Sequence, residues 1–153
     1  MAIGKEILSL EERIGYKFRD IKLLETALTH SSYSNEKKSR GMSFESNERL
    51  EFLGDSVLEV VISRYLYDNY RTRAEGHLTK MRQYLVCERT LAKIAKDISL
   101  GDYLNLGKGE EQTDCRNRKK VLADAIEALF AAIYLDCEAG GLRRGNRNPV
   151  WQG

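Results

Sequence analysis

With 153 residues and a net charge of +2, the chain is long enough for one domain with its own core and too short for a second full domain. The near-balanced charge neither demands nor excludes a polyanionic partner, so such a partner must be argued from local charge. No stretch reads as a membrane helix or a signal peptide, and the widely spaced Cys87, Cys115 and Cys137 form no zinc or disulfide pattern. We therefore expect a soluble cytoplasmic protein with reduced thiols and no membrane partner.

Apolar residues recur at helical spacing along most of the chain, and Pro149 is the only proline. This pattern predicts an all-α fold. In chain order, the predicted helices cover residues 5–14, 21–28, 46 or 47 to 70, 75 or 78 to 87, 88–98 and 118–137. The segment SSYSNEKKSRGMS is predicted to be a loop, and LNLGKGEEQTDCRNRKK a Gly- and charge-rich connection. The helical period ends after residue 141, which predicts one domain over 1–141 and an atypical, disordered or truncated tail over 142–153.

The stretch NERLEFLGDS puts three acids at the start of the third predicted helix. Either Ser46 or Asn47 can cap this helix. At about 100° per residue, Glu48, Glu51 and Asp55 fall on one stripe. The opposite side carries an apolar stripe that is expected to face the core: Leu50, Leu53, Val57, Val60 and Val61. A solvated acidic first turn accounts for this pattern as readily as a functional site does.

A second acidic pair lies near the end of the chain. Asp124 and Glu127 stand at i and i+3 in ADAIEALFAAIYLD, on a predicted helix that is otherwise almost entirely apolar. Such a helix should be buried nearly all round, where ionised carboxylates need a cation or a basic partner. Mg²⁺ favours carboxylate oxygens, and arginines from other helices are the alternative partner.

Four carboxylates on two helices, with water and Mg²⁺, suit the hydrolysis of a phosphodiester. Nucleophilic catalysis is poorly supported, because His30 and His77 stand far apart and no serine or cysteine has the surroundings of a nucleophile. Basic residues in two loops could offset phosphate charge or simply be solvated. They are Lys37, Lys38 and Arg40 in the first loop, and Lys108, Arg116, Arg118, Lys119 and Lys120 in the second. Of these, Lys108, Arg116 and Arg118 are the candidate RNA contacts.

Two motifs resemble a known family: NERLEFLGDSVLE resembles the signature of the ribonuclease III endonuclease domain, and KKVLADAIEALFAAIYLD resembles that family's second acidic motif. IGYKFRDIKLLETALTHSSY, EGHLTKMR and LGKGEE extend the resemblance over about Leu8 to Gly141. It implies the all-α ribonuclease III endonuclease fold in a symmetric homodimer. It also implies cleavage of double-stranded RNA with Mg²⁺ or Mn²⁺, in RNA processing, to 5′-phosphate and 3′-hydroxyl ends with short 3′ overhangs.

Carried over by motif position, Glu51, Asp55, Asp124 and Glu127 are the metal-binding carboxylates, with Asp55 and Glu127 catalytic. Glu48 and Glu75 match additional acids near the cleavage site of the family. The resemblance leaves open a catalytically silent RNA-binding or ribosome-associated member of the fold. A purely structural helical dimer is a third hypothesis.

The aromatic residue of the first motif supports the dimer independently. Phe52 falls roughly 40° from Glu48 on the helical wheel, away from the apolar stripe. An exposed phenylalanine there needs a cover, and the resemblance implies that the partner subunit supplies it, although another helix of the same chain could do so.

The chain departs from the family at His77 and at Thr113-Asp114-Cys115. It also lacks the double-stranded-RNA-binding domain of full-length bacterial members, so a truncated chain with weak, salt-dependent RNA binding is expected. The compact Mini-III type is the alternative.

Overall fold

The structure is a computed structural model that describes residues 3–142, with side-chain surroundings for residues 6–140. Within that range it contains eight α-helices, two 3-10 helices and no β-strand. The α-helices, named α1 to α8 in chain order, are Ile3–Ile14, Ile21–Ala27, Ser31–Lys38, Glu48–Asn69, Glu75–Leu85, Glu88–Asp97, Lys108–Glu111 and Lys119–Leu142. The 3-10 helices are Leu100–Tyr103 and Cys115–Asn117. The predicted all-α fold is confirmed.

Helix α8 forms the centre of the core and packs against α2, α4 and α6. Its buried alanine, leucine and isoleucine residues lie on all sides of the helix: Leu122, Ala123, Ala125, Ile126, Ala128, Leu129, Ala131 and Ala132. The alanines let neighbouring helices approach closely, and each fully buried Leu or Ile contributes about 1.5–3 kcal/mol to folding. None of the helices in the described part of the chain is long and apolar enough to cross a membrane.

The far end of α8 is fixed to the start of α2 by one buried carboxylate. Asp136 accepts hydrogen bonds from the Tyr16 hydroxyl at 2.7 Å, the Arg19 amide at 3.0 Å and the Asp20 amide at 2.9 Å. Burial alone would raise the pKa of Asp136, but these donors outweigh it and lower the pKa below its ordinary value. The ionised carboxylate therefore stabilises the junction. The predicted tail, beyond Leu142 at the end of α8, lies outside the described residues.

The prediction of a loop after α2 is wrong for its first eight residues, which form α3. His30 caps this helix, because its Nδ1 accepts a hydrogen bond from the Ser32 amide at 3.2 Å. The Gly107 amide donates to the Ser32 hydroxyl at 2.9 Å, and the Lys108 amide donates to Glu36 at 2.7 Å. The helix carries too little apolar periodicity to be seen in the sequence, so its tertiary contacts decide its structure. The polar connection before α8 likewise contains α7 and a 3-10 turn.

Helix α4 begins where it was predicted to begin, but it faces the core differently. Its buried residues are Leu50, Gly54, Leu58 and Leu66. Val60 and Val61, expected in the core stripe, are 69% and 55% exposed. Neither predicted capping side chain caps the helix: Asn47 is buried and donates to the Ala27 carbonyl at 3.2 Å, and the Ser46 hydroxyl donates to Glu48.

Candidate metal centre

The close approach of α4 and α8 is centred on one glycine. A Cβ atom built on Gly54 would lie 1.8 Å from the backbone oxygen of Glu127. No side chain fits in that space, so only glycine lets the two helix backbones come this near. The contact explains why α4 turns the Leu50/Gly54/Leu58 side inward instead of the stripe that includes Val60. It also sets the acids that flank Gly54 beside those of α8.

Three carboxylates converge at this crossing. Glu51 from α4 and Asp124 and Glu127 from α8 each offer an oxygen, and these oxygens all lie within 4.8 Å of one another. All three side chains are half-buried. We call Glu51, Asp124 and Glu127 the carboxylate group. Sequence motifs about 70 residues apart thus supply one site, which the structure holds through backbone packing.

The carboxylate group is electrostatically strained. Burial, followed by the charges of Asp55, Glu51 and Asp124, raises the pKa of Glu127 from 4.5 to about 7. Burial and the charge of Asp124 also raise the pKa of Glu51. Both shifts have the same origin, since desolvated like charges disfavour the ionised form. A cation would relieve the repulsion, and the oxygen-only donor set fits hard divalent ions. The described residues thus hold an acidic group that could bind a metal.

One basic side chain already contacts the group. Lys120 Nζ lies 3.2 Å from a carboxylate oxygen of Asp124, one helical turn along α8. This hydrogen bond, together with the Asp124 charge, raises the pKa of Lys120. The sequence left arginines from other helices open as the alternative partner; among the described residues, the basic side chain that pairs with Asp124 is instead a lysine of the same helix. The i, i+4 spacing of Lys120 and Asp124 is a sequence signal for this pair.

The other predicted acids, Asp55, Glu48 and Glu75, are not part of the carboxylate group. Asp55 is exposed, one residue beyond Gly54, and its charge acts on Glu127. Glu48 is exposed at the start of α4, and its charge acts on Glu51. Glu75 begins α5 and accepts a hydrogen bond from Thr79 at 2.7 Å, outside the group. The structure therefore brings three of the four predicted metal ligands together and keeps Asp55 next to them.

The three candidate RNA contacts differ in what holds them. Arg116 donates to the carbonyls of Gly101 at 2.9 Å and Leu104 at 2.6 Å, and it forms an ion pair with Glu111. Arg118 bonds Thr113 and Glu110. Lys108 is exposed and uses its amide, not its side chain, to bind Glu36. The guanidinium of Arg116 thus braces the segment before α8.

Phe52 is the most exposed large apolar residue among the side chains described, at 80%. It borders an open hollow of about 640 Å³ that has leucines on its walls. These are Leu23, Leu50, Leu53 and Leu135. No helix of the described chain covers Phe52, in contrast to the hypothesis that another helix of the same chain buries it.

The fold and the site define a class: an all-helical domain whose two crossing helices present an acidic group suited to a divalent cation. The sequence model of the Ribonuclease-III-like family matches residues 20–143. The chain belongs to the ribonuclease III-like family, and the predicted fold is confirmed. Ribonuclease 3 of Clostridium tetani (strain Massachusetts / E88) is 54% identical over 131 residues, which cover 86% of this chain and 54% of that protein.

Two solved structures of the ribonuclease III nuclease domain from Campylobacter jejuni are similar over nearly their whole length. One has a TM-score of 0.77 at 37% identity and covers 96% of this chain and 99% of its own. The other, which describes flexibility in a region involved in dimer formation, has a TM-score of 0.78 at 38% identity. The match covers 90% of this chain and 91% of the C. jejuni chain. The chain spans about half the length of the curated relatives it matches.

Proposed function

We propose that this chain is a divalent-metal-dependent endoribonuclease that hydrolyses phosphodiesters of double-stranded RNA. Its products would carry 5′-phosphate and 3′-hydroxyl ends with short 3′ overhangs, as in the processing of ribosomal or messenger RNA. The observation that carries the proposal is the convergence of Glu51, Asp124 and Glu127 within 4.8 Å at the crossing of α4 and α8. Membership of the ribonuclease III-like family supports the same reaction. The three free cysteines are consistent with a cytoplasmic setting.

We infer that the metal is Mg²⁺, for which Mn²⁺ can substitute. Glu51, Asp124 and Glu127 would hold it, with Asp55 beside them, and Glu48 and Glu75 would add negative charge farther out. When bound, such an ion lowers the pKa of a water and stabilises charge on phosphate oxygens. The chain's own contribution is to hold these carboxylates close together, where their repulsion favours the binding of a cation. Asp55 and Glu127 are proposed as the catalytic pair because of their positions in the two acidic motifs, and the charge of Asp55 acts on Glu127.

The proposed substrate is a duplex, which would be recognised by shape through phosphate and 2′-hydroxyl contacts. Lys108 has a side chain free to reach RNA, whereas Arg116 and Arg118 would have to exchange protein partners for phosphates. Full-length relatives extend well beyond the matched region. Because the proposed RNA contacts are made to phosphates, we expect RNA binding to depend strongly on salt.

A symmetric homodimer is proposed because α4 presents an apolar surface to solvent. Phe52, Val60 and Tyr67 are 80%, 69% and 73% exposed, and the leucine-lined hollow beside Phe52 is roomy enough to receive an aromatic ring. The C. jejuni nuclease domain has a region involved in dimer formation, which supports pairing. A dimer carries two carboxylate groups, so it can cut both strands of a duplex.

Sedimentation tests the dimer. Phe52→Ala is expected to shift the chain toward monomer. Leu8→Ala, which truncates an exposed apolar residue of α1, serves as the matched control and should not shift it. A Phe52→Ala protein that stays fully dimeric would refute the contact and leave the proposed metal site standing.

Cleavage of labelled duplex RNA in Mg²⁺ at low salt, with and without chelator, tests the activity. We expect cleavage by the wild type, none with chelator and none with Glu127→Gln. Glu138→Gln removes the same charge from an exposed position on α8 and should cleave normally. Cleavage that survives Glu127→Gln would sink the proposal. RNA that is bound but left intact would instead identify a catalytically silent member, and no affinity for RNA would favour a structural helical dimer.

A further inference from the structure

A basic surface lies where α6 meets the start of α8. Four basic side chains, Arg89, Lys93 and Lys96 of α6 and Lys119 of α8, line one open depression. Tyr84 and Thr90 line it as well. We call these residues the α6 basic surface. None of the three candidate RNA contacts, Lys108, Arg116 and Arg118, belongs to it, although Lys119 is one of the basic residues that the sequence offers as a counter-charge for phosphate.

Most of the charge on this surface is unneutralised. Lys93 forms an ion pair with Asp97 at 2.7 Å. Arg89, Lys96 and Lys119 are exposed and have no ion-pair partner among the side chains described. The Tyr84 side chain is 69% exposed, and its hydroxyl bonds to none of the described residues. Unpaired lysine and arginine side chains with a free hydroxyl are the groups that bind phosphate oxygens.

The α6 basic surface adjoins the carboxylate group. Lys119 precedes Lys120, whose ammonium lies 3.2 Å from Asp124. The charge of Glu88, the first residue of α6, also acts on Lys120, so the start of α6 lies within electrostatic range of that lysine. Along α8, Lys119 and Glu127 are separated by eight residues, or about 12 Å. Lys119 thus stands at the beginning of α8 and the acids of α8 lie about one to two turns farther along the same helix, a span that one duplex can bridge.

We propose that the α6 basic surface binds the phosphodiester backbone of the duplex whose scissile bond lies at the carboxylate group. The inference rests on the proposed function and adds a positioning surface to it. A nucleic-acid duplex carries on the order of one charge every 2 Å of its axis. A duplex that reaches Glu127 therefore brings several phosphates to within reach of Arg89, Lys96 and Lys119.

Charge complementarity also favours this occupant. The carboxylate group repels a polyanion until a cation is bound, so some other part of the face must supply attraction. Contacts of lysine and arginine to phosphates position a duplex without reading its sequence. The α6 basic surface would thus set the register of the duplex relative to the acids.

A pair of matched double variants tests the proposal. Lys96→Gln/Lys119→Gln removes two charges from the surface. Lys17→Gln/Lys22→Gln removes two lysine charges that are also exposed but lie near the opposite end of α8, next to the Asp136 junction. Binding of fluorescent duplex RNA is measured by anisotropy with Ca²⁺ in place of Mg²⁺, over a range of salt concentrations. Thermal unfolding checks that each variant is folded.

We expect the surface variant to bind roughly tenfold more weakly at low salt, with a salt slope lower by about two. The control should bind within about twofold of wild type. Equal binding by the two variants would overturn the proposal. A surface variant that binds RNA normally and loses affinity only for phosphatidylserine vesicles would assign the surface to a membrane partner and also overturn it.

Cleavage separates this inference from the proposed function. In Mg²⁺, the surface variant should need about tenfold more RNA for half-maximal cleavage while its rate at saturating RNA falls less than about twofold. Loss of the saturating rate with unchanged binding would contradict a positioning role. If the wild type binds duplex but never cleaves it, the proposed function fails, and the binding comparison still decides whether the surface holds RNA.

Discussion

Replacing Glu127 by glutamine should make the metal-free protein more stable at alkaline pH. Burial and the neighbouring acids raise the pKa of Glu127 from 4.5 to about 7. The folded state therefore holds this proton more tightly than the unfolded chain does. Stability linked to this group is fully present below about pH 4.5 and is lost as the pH rises through about 7.

The size of the effect follows from the shift. The pKa of Glu127 differs between the unfolded chain, at 4.5, and the folded protein, at about 7. At about 1.4 kcal/mol per pH unit, this difference corresponds to about 3 kcal/mol of folding free energy. Solvent screening of a half-buried group reduces the figure to about 1–2 kcal/mol. Glu127→Gln removes the charge and keeps the shape. For a domain of this size, the variant should melt about 3–6 °C higher than wild type at pH 8 without metal. At pH 4.5 the two should melt alike.

The difference in melting temperature between the wild type and Glu127→Gln is measured by thermal unfolding at pH 4.5 and pH 8, with chelator and with Mg²⁺. Mg²⁺ should raise the melting temperature of the wild type at pH 8 and have much less effect on Glu127→Gln. Glu138→Gln is the matched control, because Glu138 is exposed on the same helix and bonded to Tyr134. A Glu127→Gln protein no more stable than wild type at pH 8, or equally stabilised by Mg²⁺, would refute the electrostatic account of the site.

Three further predictions follow from other contacts. Gly54→Ala should lower the free energy of unfolding in urea by about 3 kcal/mol or more, because the added Cβ would lie 1.8 Å from a backbone oxygen of α8. This loss should occur even though alanine favours helix. Gly76→Ala is the control: a Cβ there has nothing within 4 Å, so the substitution should be neutral or stabilising. Lys120→Gln should strengthen Mg²⁺ binding about fivefold by calorimetry, since it removes a cation that competes for Asp124; weaker binding would count against this. Asp136→Asn should lower the free energy of unfolding in urea by about 2–3 kcal/mol, because it weakens the three hydrogen bonds at the junction. The rise in melting temperature that Mg²⁺ causes should be the same as in the wild type.

The elements that the sequence predicts well are those with strong apolar periodicity. Helix α8, predicted over 118–137 and as buried nearly all round, begins at Lys119 and continues to Leu142, and most of the apolar residues at its centre are buried. The exposure of Phe52 was also predicted, because a wheel needs only the residues of one helix. Both results depend on local pattern alone, which a single sequence contains.

The sequence could not predict how α4 rotates about its own axis. A wheel assigns Val60 and Val61 to the core by average hydropathy, but the helix turns so that Gly54 meets the backbone of Glu127. A glycine inside a helical pattern is the available signal for such a close approach. Helix α3 was missed for a similar reason, since its stability comes from contacts with the segment around Gly107.

Gly54 connects the stability of the core to the chemistry of the site. The close approach of α4 and α8 buries apolar surface, and the same approach forces Glu51 and Glu127 together with Asp124. Moving the helices apart would lower the repulsion and also lose the packing, so the fold holds the acids in a state that a proton relieves at low pH and a bound cation relieves at high pH. Mutations that widen the crossing should therefore weaken metal binding and stability together, whereas Glu127→Gln should separate them, raising stability as metal binding falls. That opposite pair of responses distinguishes a site built by backbone packing from a set of surface acids that happen to lie close together.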